Sequence, residues 1–222
     1  MNQEICFVGS QSKIGSRLVK FLKIDNKILP IELGFLEITE KNLTNIKKTI
    51  ARNVERMNLE FLPHRSLVFC HRIRNLESNT NASLSAELDI LEGVISSISK
   101  FSEELNIIII GSCTGSYFDS KSSQAYHHVK DLQKSFIRFF SHKNPKYCIN
   151  IIELSFFDKY FPEEADSKYD FEKLKMIEYN KNRAIPSYKQ LALAVNYLSS
   201  PDLGITAQTI SLDNGILNMQ NF

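Results

Sequence analysis

The chain of 222 residues lacks several features that would have named a function class at once. Its four cysteines, Cys6, Cys70, Cys113 and Cys148, are scattered and form no CxxC pair. A zinc site or a thioredoxin-like motif is therefore not expected, and metal ligands are assigned to none of its residues. Three of these thiols fall in or at the end of predicted strands, where a free cysteine acts as a small core residue. No apolar run approaches the ~20 residues that span a bilayer. The first residues, MNQEICFVGS, hold no basic region followed by a signal-like apolar stretch. No block of Lys or Arg occurs and the net charge is only +2, which gives no reason to expect nucleic acid. There is no strict GxGxxG, no internal repeat and no low-complexity linker. The expectation is a reduced, cytoplasmic protein with neither a membrane nor a nucleic acid as partner.

What is present points to one domain, 1–222, with a full core. Hydrophobic residues at 43% and charged residues at 23% are ordinary globular values. Short apolar runs alternate with amphipathic segments: EICFV (4–8), KILPIEL (27–33), RSLVFC (65–70), NIIIIG (106–111), YCINIIEL (147–154) and ITAQTISL (205–212). Helices are predicted between them, including 82–101 with Leu84, Leu88, Leu91, Val94, Ile95 and Ile98 on the inner stripe. Continuously apolar strands alternating with helices predict an α/β fold, a Rossmann-like doubly wound parallel sheet covered on both faces. Ligands of such sheets bind at the carboxyl ends of the strands.

The first strand runs into Gly9-Ser10-Gln11-Ser12-Lys13-Ile14-Gly15 and then a helix. A strand, a glycine turn and a helix in that order can offer backbone N–H groups and a positive helix end to a diphosphate. The same residues also read as a plain strand-to-helix turn. Glu32, at the end of the second strand, can accept hydrogen bonds from ribose hydroxyls or simply sit in water. Pro30 cannot donate to a sheet ladder, which predicts an edge or irregular strand. The spacing after Glu32 is too short for another parallel crossover, so a helix and a strand are absent or abridged there.

The stretch 106–130, NIIIIGSCTGSYFDSKSSQAYHHVK, carries the chemistry. It places a hydroxyl (Ser112, with Ser116 as its substitute) after a buried strand, then Tyr126 and Lys130 one helical turn apart. A free phenol has a pKa near ~10, too high for a base at neutral pH. An ammonium on the same helix face stabilises the phenolate and lowers that value. His127 and His128 point elsewhere on the helix and read as surface or interface groups. His71 and Arg72 end a strand on the ligand side, as phosphate or substrate contacts or as a salt bridge. The segment 156–185 is charged and aromatic and reads as a substrate loop or flap. The aromatic end of the helix to Phe140, FIRFF, suits either a partner helix or core.

Taken together, these segments resemble the short-chain dehydrogenase/reductase family. VGSQSKIG resembles its TGxxxGIG cofactor turn, Tyr126-His127-His128-Val129-Lys130 its YxxxK, Ser112 its serine, and GITAQTISLDNG its closing strand. The resemblance runs over nearly the whole chain in the family order. Departures are Val8 for the threonine, Lys13 for the middle glycine, Phe69-Cys70-His71-Arg72 for NNAG, Leu154-Ser155 for PG, and a region after Glu32 shorter by one βα unit, ~30 residues. The resemblance implies an NAD- or NADP-dependent oxidoreductase acting on an alcohol or carbonyl of a small polar molecule, anionic or sugar-like. It implies Tyr126 as general acid/base, Lys130 on the nicotinamide ribose, Ser112 on the substrate carbonyl, and Asp89 nearest the family's helix asparagine. Gly9, Ser10, Ser12, Lys13, Ile14, Gly15 and Glu32 fall at the cofactor. Glu32 favours NAD, and Lys13 beside a 2′-phosphate favours NADP. Homodimers or homotetramers are also implied, and the altered signatures leave a non-catalytic binding or scaffold protein of the same fold as the alternative.

Overall fold

The structure, a computed structural model, describes residues 3–31, 33, 40–71, 81–112, 124–154 and 186–212, and of 40–44, 46, 81–85 and 124–126 the backbone alone. Six strands form one sheet: β1 (Gln3–Val8), β2 (Asn26–Ile31), β3 (Leu62–Phe69), β4 (Ser102–Ser112), β5 (Tyr147–Leu154) and β6 (Thr209–Leu212). Their order is β2-β1-β3-β4-β5-β6, and every pair is parallel. Among the described residues five α-helices accompany them: α1 (Lys13–Leu22), α2 (Glu40–Arg56), α3 (Asn81–Ile98), α4 (Gln124–Lys143) and α5 (Tyr188–Leu198).

The run of four isoleucines explains the two layers, because successive strand residues point to opposite faces. Ile107 and Ile109 join Cys6, Val8, Leu67 and Phe69 under α2, α3 and α4. Ile108 and Ile110 join Ile5, Phe7 and Val68 under α1 and α5. The sheet is thus wound on both sides, as the apolar strands predicted.

The abridgement also has a clear form. β2 is an edge strand, and among the described residues no strand lies outside it. Among the described residues, α2 is the one helix between β2 and β3. Pro30 lies opposite Phe7 in this edge strand, where a missing donor is tolerated. Since β2 and β3 flank β1, the winding reverses between β1 and β3. In open sheets of this kind, ligands bind at such a switch point, outside the carboxyl ends of the strands.

The opposite, amino edge is closed by the segment after α5. Ser66 Oγ donates to the Ser199 carbonyl at 3.3 Å, and His64 Nε2 lies 3.4 Å from the same oxygen. Asn106 Nδ2 donates to Ser200 (3.0 Å) and Asn150 Nδ2 to Ile205 (2.7 Å), while Gln208 N–H donates back to Asn150 Oδ1 (3.0 Å). One polar side chain or more from each of β3, β4 and β5 therefore holds the stretch that leads into β6. Among the described residues no helix is long and apolar enough to cross a membrane.

Candidate active site

The glycine turn is built as its sequence requires. Gly9 has φ +84°, a left-handed conformation that side chains rarely adopt. A Cβ there would lie 2.2 Å from the Cys70 carbonyl oxygen, so the end of β3 crosses directly over it. A Cβ on Gly15 would lie 2.1 Å from the Gly9 oxygen. Ser12 caps α1: its Oγ accepts from Gly15 N–H at 2.9 Å, and its own N–H donates to Gly9 O at 3.0 Å. Lys13 opens the helix, is exposed, and has no acidic residue beside it in the first turn. Two positive features, the helix end and the ammonium, thus coincide at the turn. Ser10 and Ile14 are half-buried in the same loop. Cys70 N–H donates to Val8 O at 2.9 Å, and Cys70 Sγ lies 3.8 Å from Ser12 Oγ, which ties the turn to β3.

Ser112 is the last residue of β4, half-buried and in register with Leu154. It stands three residues beyond Ile109, which is in register with Phe69, so it projects ~10 Å past that level toward the carboxyl edge. Gly111 makes room for this end, since a Cβ there would lie 2.8 Å from the Ile151 side chain. Tyr126 lies in the first turn of α4, and its phenol is outside the described residues.

Lys130 is 4% exposed, an unusual position for an ammonium. Its Nζ donates to Glu87 Oε2 of α3 at 3.0 Å and to Gln133 Oε1 at 3.2 Å. Gln133 Nε2 donates to the same Glu87 oxygen at 2.9 Å, closing a triangle. Glu87 is 0% and Gln133 2% exposed. One turn further on α4, Lys134 Nζ meets the buried Glu153 of β5 at 2.9 Å. His71, at the end of β3, lies within the field of this cluster. Burial lowers its pKa from the ordinary histidine value, with the Glu87 carboxylate opposing that shift and the Lys130 ammonium adding to it.

The structure brings together some of the expected residues and not others. Asp89 is not the α3 residue that meets Lys130: its Oδ1 takes Lys47 Nζ of α2 at 2.9 Å, two positions and about 200° of helix rotation away from Glu87. Glu87 has that place instead, and sequence reading passed over it. The signal was there: Glu87 interrupts the inner stripe between Leu84 and Leu91, and a carboxylate at a core position needs a partner. His127, expected as a surface or interface group, is buried within the chain, whereas His128 is exposed. Of the FIRFF aromatics only Phe139 faces out; Phe136 and Phe140 pack on the core and Phe140 stacks on Tyr147 at 6.3 Å. Glu32, Arg72, Ser116 and the segment 156–185 lie outside the described residues. A further cavity of about 390 Å³ sits at the amino edge, lined by Glu4, Lys27, His64 and Ser66 among others, at the far end of the sheet from these groups. Among the described residues no three His, Cys, Asp or Glu side chains gather in a way that could hold a metal.

No protein-family model matches the sequence, and no curated protein does. Solved structures match over nearly the full length. An oxidoreductase of the short-chain dehydrogenase/reductase family from Burkholderia thailandensis is 18% identical, with 98% of this chain and 94% of that one covered and a TM-score of 0.65. The 3-alpha-hydroxysteroid dehydrogenase from Pseudomonas sp. B-0831, solved with NADH, is 17% identical over 98% of each chain, TM-score 0.66. A blue fluorescent protein from a metagenomic library, solved with NADPH, is 16% identical over 97% of this chain and 98% of that one, TM-score 0.67. At such identities the likeness is one of architecture, and this chain has the fold of the short-chain dehydrogenase/reductase proteins.

Proposed function

We propose that the chain is an NAD(P)-dependent oxidoreductase that interconverts an alcohol and a carbonyl on a small polar molecule. The observation that carries this reading is a glycine turn with φ +84° at Gly9 at the switch point of the sheet, next to the edge where Ser112 ends β4. The residues present suit a dinucleotide diphosphate. The capped N-terminus of α1, with Lys13 and no carboxylate in its first turn, favours an anion. Gly9, Ser10, Ser12, Ile14 and Gly15 form the loop, and Glu32 or Lys13 would discriminate between a ribose hydroxyl and a 2′-phosphate. Similarity to proteins solved with NADH and with NADPH supports either nucleotide. When bound, the nicotinamide gives or takes the hydride.

The chain's own residues handle the proton and the alignment. Tyr126 gives a proton to the substrate oxygen or removes it, helped by the Lys130 charge one helical turn away. Ser112 donates a hydrogen bond to the same oxygen and holds it in line. Assembly as a homodimer or homotetramer belongs to the proposal as well. One observation favours the alternative, a non-catalytic protein of the same fold: Lys130 is already engaged by Glu87 and Gln133, as a purely structural ion pair would be.

Titration of the protein with NADH and NADPH, followed by nicotinamide fluorescence, separates the two readings. Saturable binding of at least one nucleotide is expected, and no binding of either at millimolar concentration excludes the oxidoreductase. With a substrate in hand, Tyr126→Phe should bind nucleotide as the parent does and turn over at least ~100-fold more slowly.

A further inference from the structure

Lys130 is almost fully buried, and a buried ammonium is stable in a fold only where it is paired and hydrogen-bonded. Burial disfavours the charged form of a lysine unless a partner compensates the lost water. A neutral Lys130 could neither stabilise a phenolate nor attract a nucleotide. The groups around it decide which state it adopts.

We propose that Glu87 is a positioning residue of the site, the counter-ion that keeps Lys130 charged and fixes where its ammonium points. This rests on the reading of Tyr126 and Lys130 as the proton-handling pair given above. A neutral amide at position 87 would satisfy the hydrogen bond at 3.0 Å but would supply no charge. Gln133 uses both ends of its own amide, accepting from Lys130 and donating to Glu87 Oε2, which restrains the carboxylate. The ammonium is thereby aimed from α4 toward α3 by two partners on different helices. Among the described residues, the other charged or titratable groups near the pair do not offer a replacement. His71, just past the end of β3, carries no negative charge in either protonation state. His127 lies one turn earlier on α4 and carries none either. The Glu153 carboxylate of β5 is held by Lys134 at 2.9 Å, and Asp89 is turned to Lys47 on α2.

The test reads the proton directly. In the full chain labelled with ¹³C-lysine, the Lys130 Cε resonance, assigned by its loss in Lys130→Met, is followed against pH. The parent should still hold this ammonium proton at neutral pH. Glu87→Gln should release it at least ~2 units lower than the parent does. Glu87→Asp, which retains the charge, should titrate nearer the parent. Once a substrate is known, turnover of Glu87→Gln at neutral pH should fall at least ~10-fold, with a limb of its pH profile that tracks the Lys130 titration. A Glu87→Gln titration within about half a unit of the parent overturns the proposal. If that variant does not fold, a parent Lys130 that is already neutral at pH 7 overturns it, and one that stays protonated upholds it. Turnover that survives Tyr126→Phe would remove the oxidoreductase mechanism while leaving this titration unaffected.

Discussion

Gly9→Ala is the substitution whose cost the structure fixes most closely, and Gly204→Ala is its internal control. Both glycines have positive φ, +84° and +59°. Alanine in the left-handed region costs ~1–2 kcal/mol from its own backbone. At Gly204 nothing lies within 4 Å of the added Cβ, so that is the whole expected effect. At Gly9 the Cβ would stand 2.2 Å from the Cys70 oxygen and 2.7 Å from its carbon. Both are backbone atoms, so relief requires the end of β3 to retreat. The Cys70 N–H to Val8 bond of 2.9 Å is then stretched or lost, a further ~0.5–1.5 kcal/mol, with lost packing besides. The total for Gly9→Ala is ~2–4 kcal/mol, or a fall in Tm on the order of 10 °C at this chain length. Urea unfolding of the three proteins, followed by circular dichroism, gives the difference, and nucleotide titration of the folded variants gives the effect on binding. Affinity should fall in Gly9→Ala and stay unchanged in Gly204→Ala. Equal stability losses in the two variants, or a Gly9→Ala loss below ~1 kcal/mol, would show that β3 does not press on this turn as described.

Two further outcomes follow from local features. Ser187 caps α5 in a reciprocal box with Gln190, its N–H donating to Gln190 Oε1 at 2.8 Å and its Oγ accepting from Gln190 N–H at 3.3 Å. Ser187→Ala should cost ~1 kcal/mol, read as a lower urea midpoint with unchanged slope. His71 has a lowered pKa when folded, chiefly through burial. The unfolded chain therefore takes up this proton first as pH falls through ~6.5, and stability is lost below that point. His71→Gln should lose less stability than the parent between pH 7.5 and 5.5, and an identical pH dependence would remove burial of this ring as a cause.

The sequence was most legible where one residue type could do only one job. The isoleucines of β4 alternate between two helix layers because period two leaves no other arrangement. Pro30 placed β2 at an edge because it has no N–H to give. Gly9 and Gly15 mark contacts that a methyl group would block. The site was less legible because its groups are set by packing between helices far apart in sequence. Glu87 and Lys130 are 43 positions apart, and only the approach of α3 to α4 shows that Glu87, not Asp89, turns to Lys130. A shift of two positions along a helix is small in an alignment and reverses the direction of a side chain. His127 was misplaced for a similar reason: helical periodicity says that it leaves the Tyr126 face, but not whether another layer covers it.

The clasp at the amino edge bears on the order in which the molecule can assemble. Its hydrogen bonds join Ser66 to Ser199, Asn106 to Ser200 and Asn150 to Ile205, across separations of 133, 94 and 55 residues. Loop closure over such distances is slow and is compensated only once both ends are in place. β3, β4 and β5 must be side by side before this set of hydrogen bonds can be complete. The C-terminal segment then acts as the last bolt of the sheet. Until it arrives, Asn106 and Asn150 lack the carbonyls they hold in the finished fold, and the apolar face later covered by α5 is open to solvent. A chain interrupted during synthesis before position 188 would lack α5 and leave that apolar face open to aggregation or to chaperones.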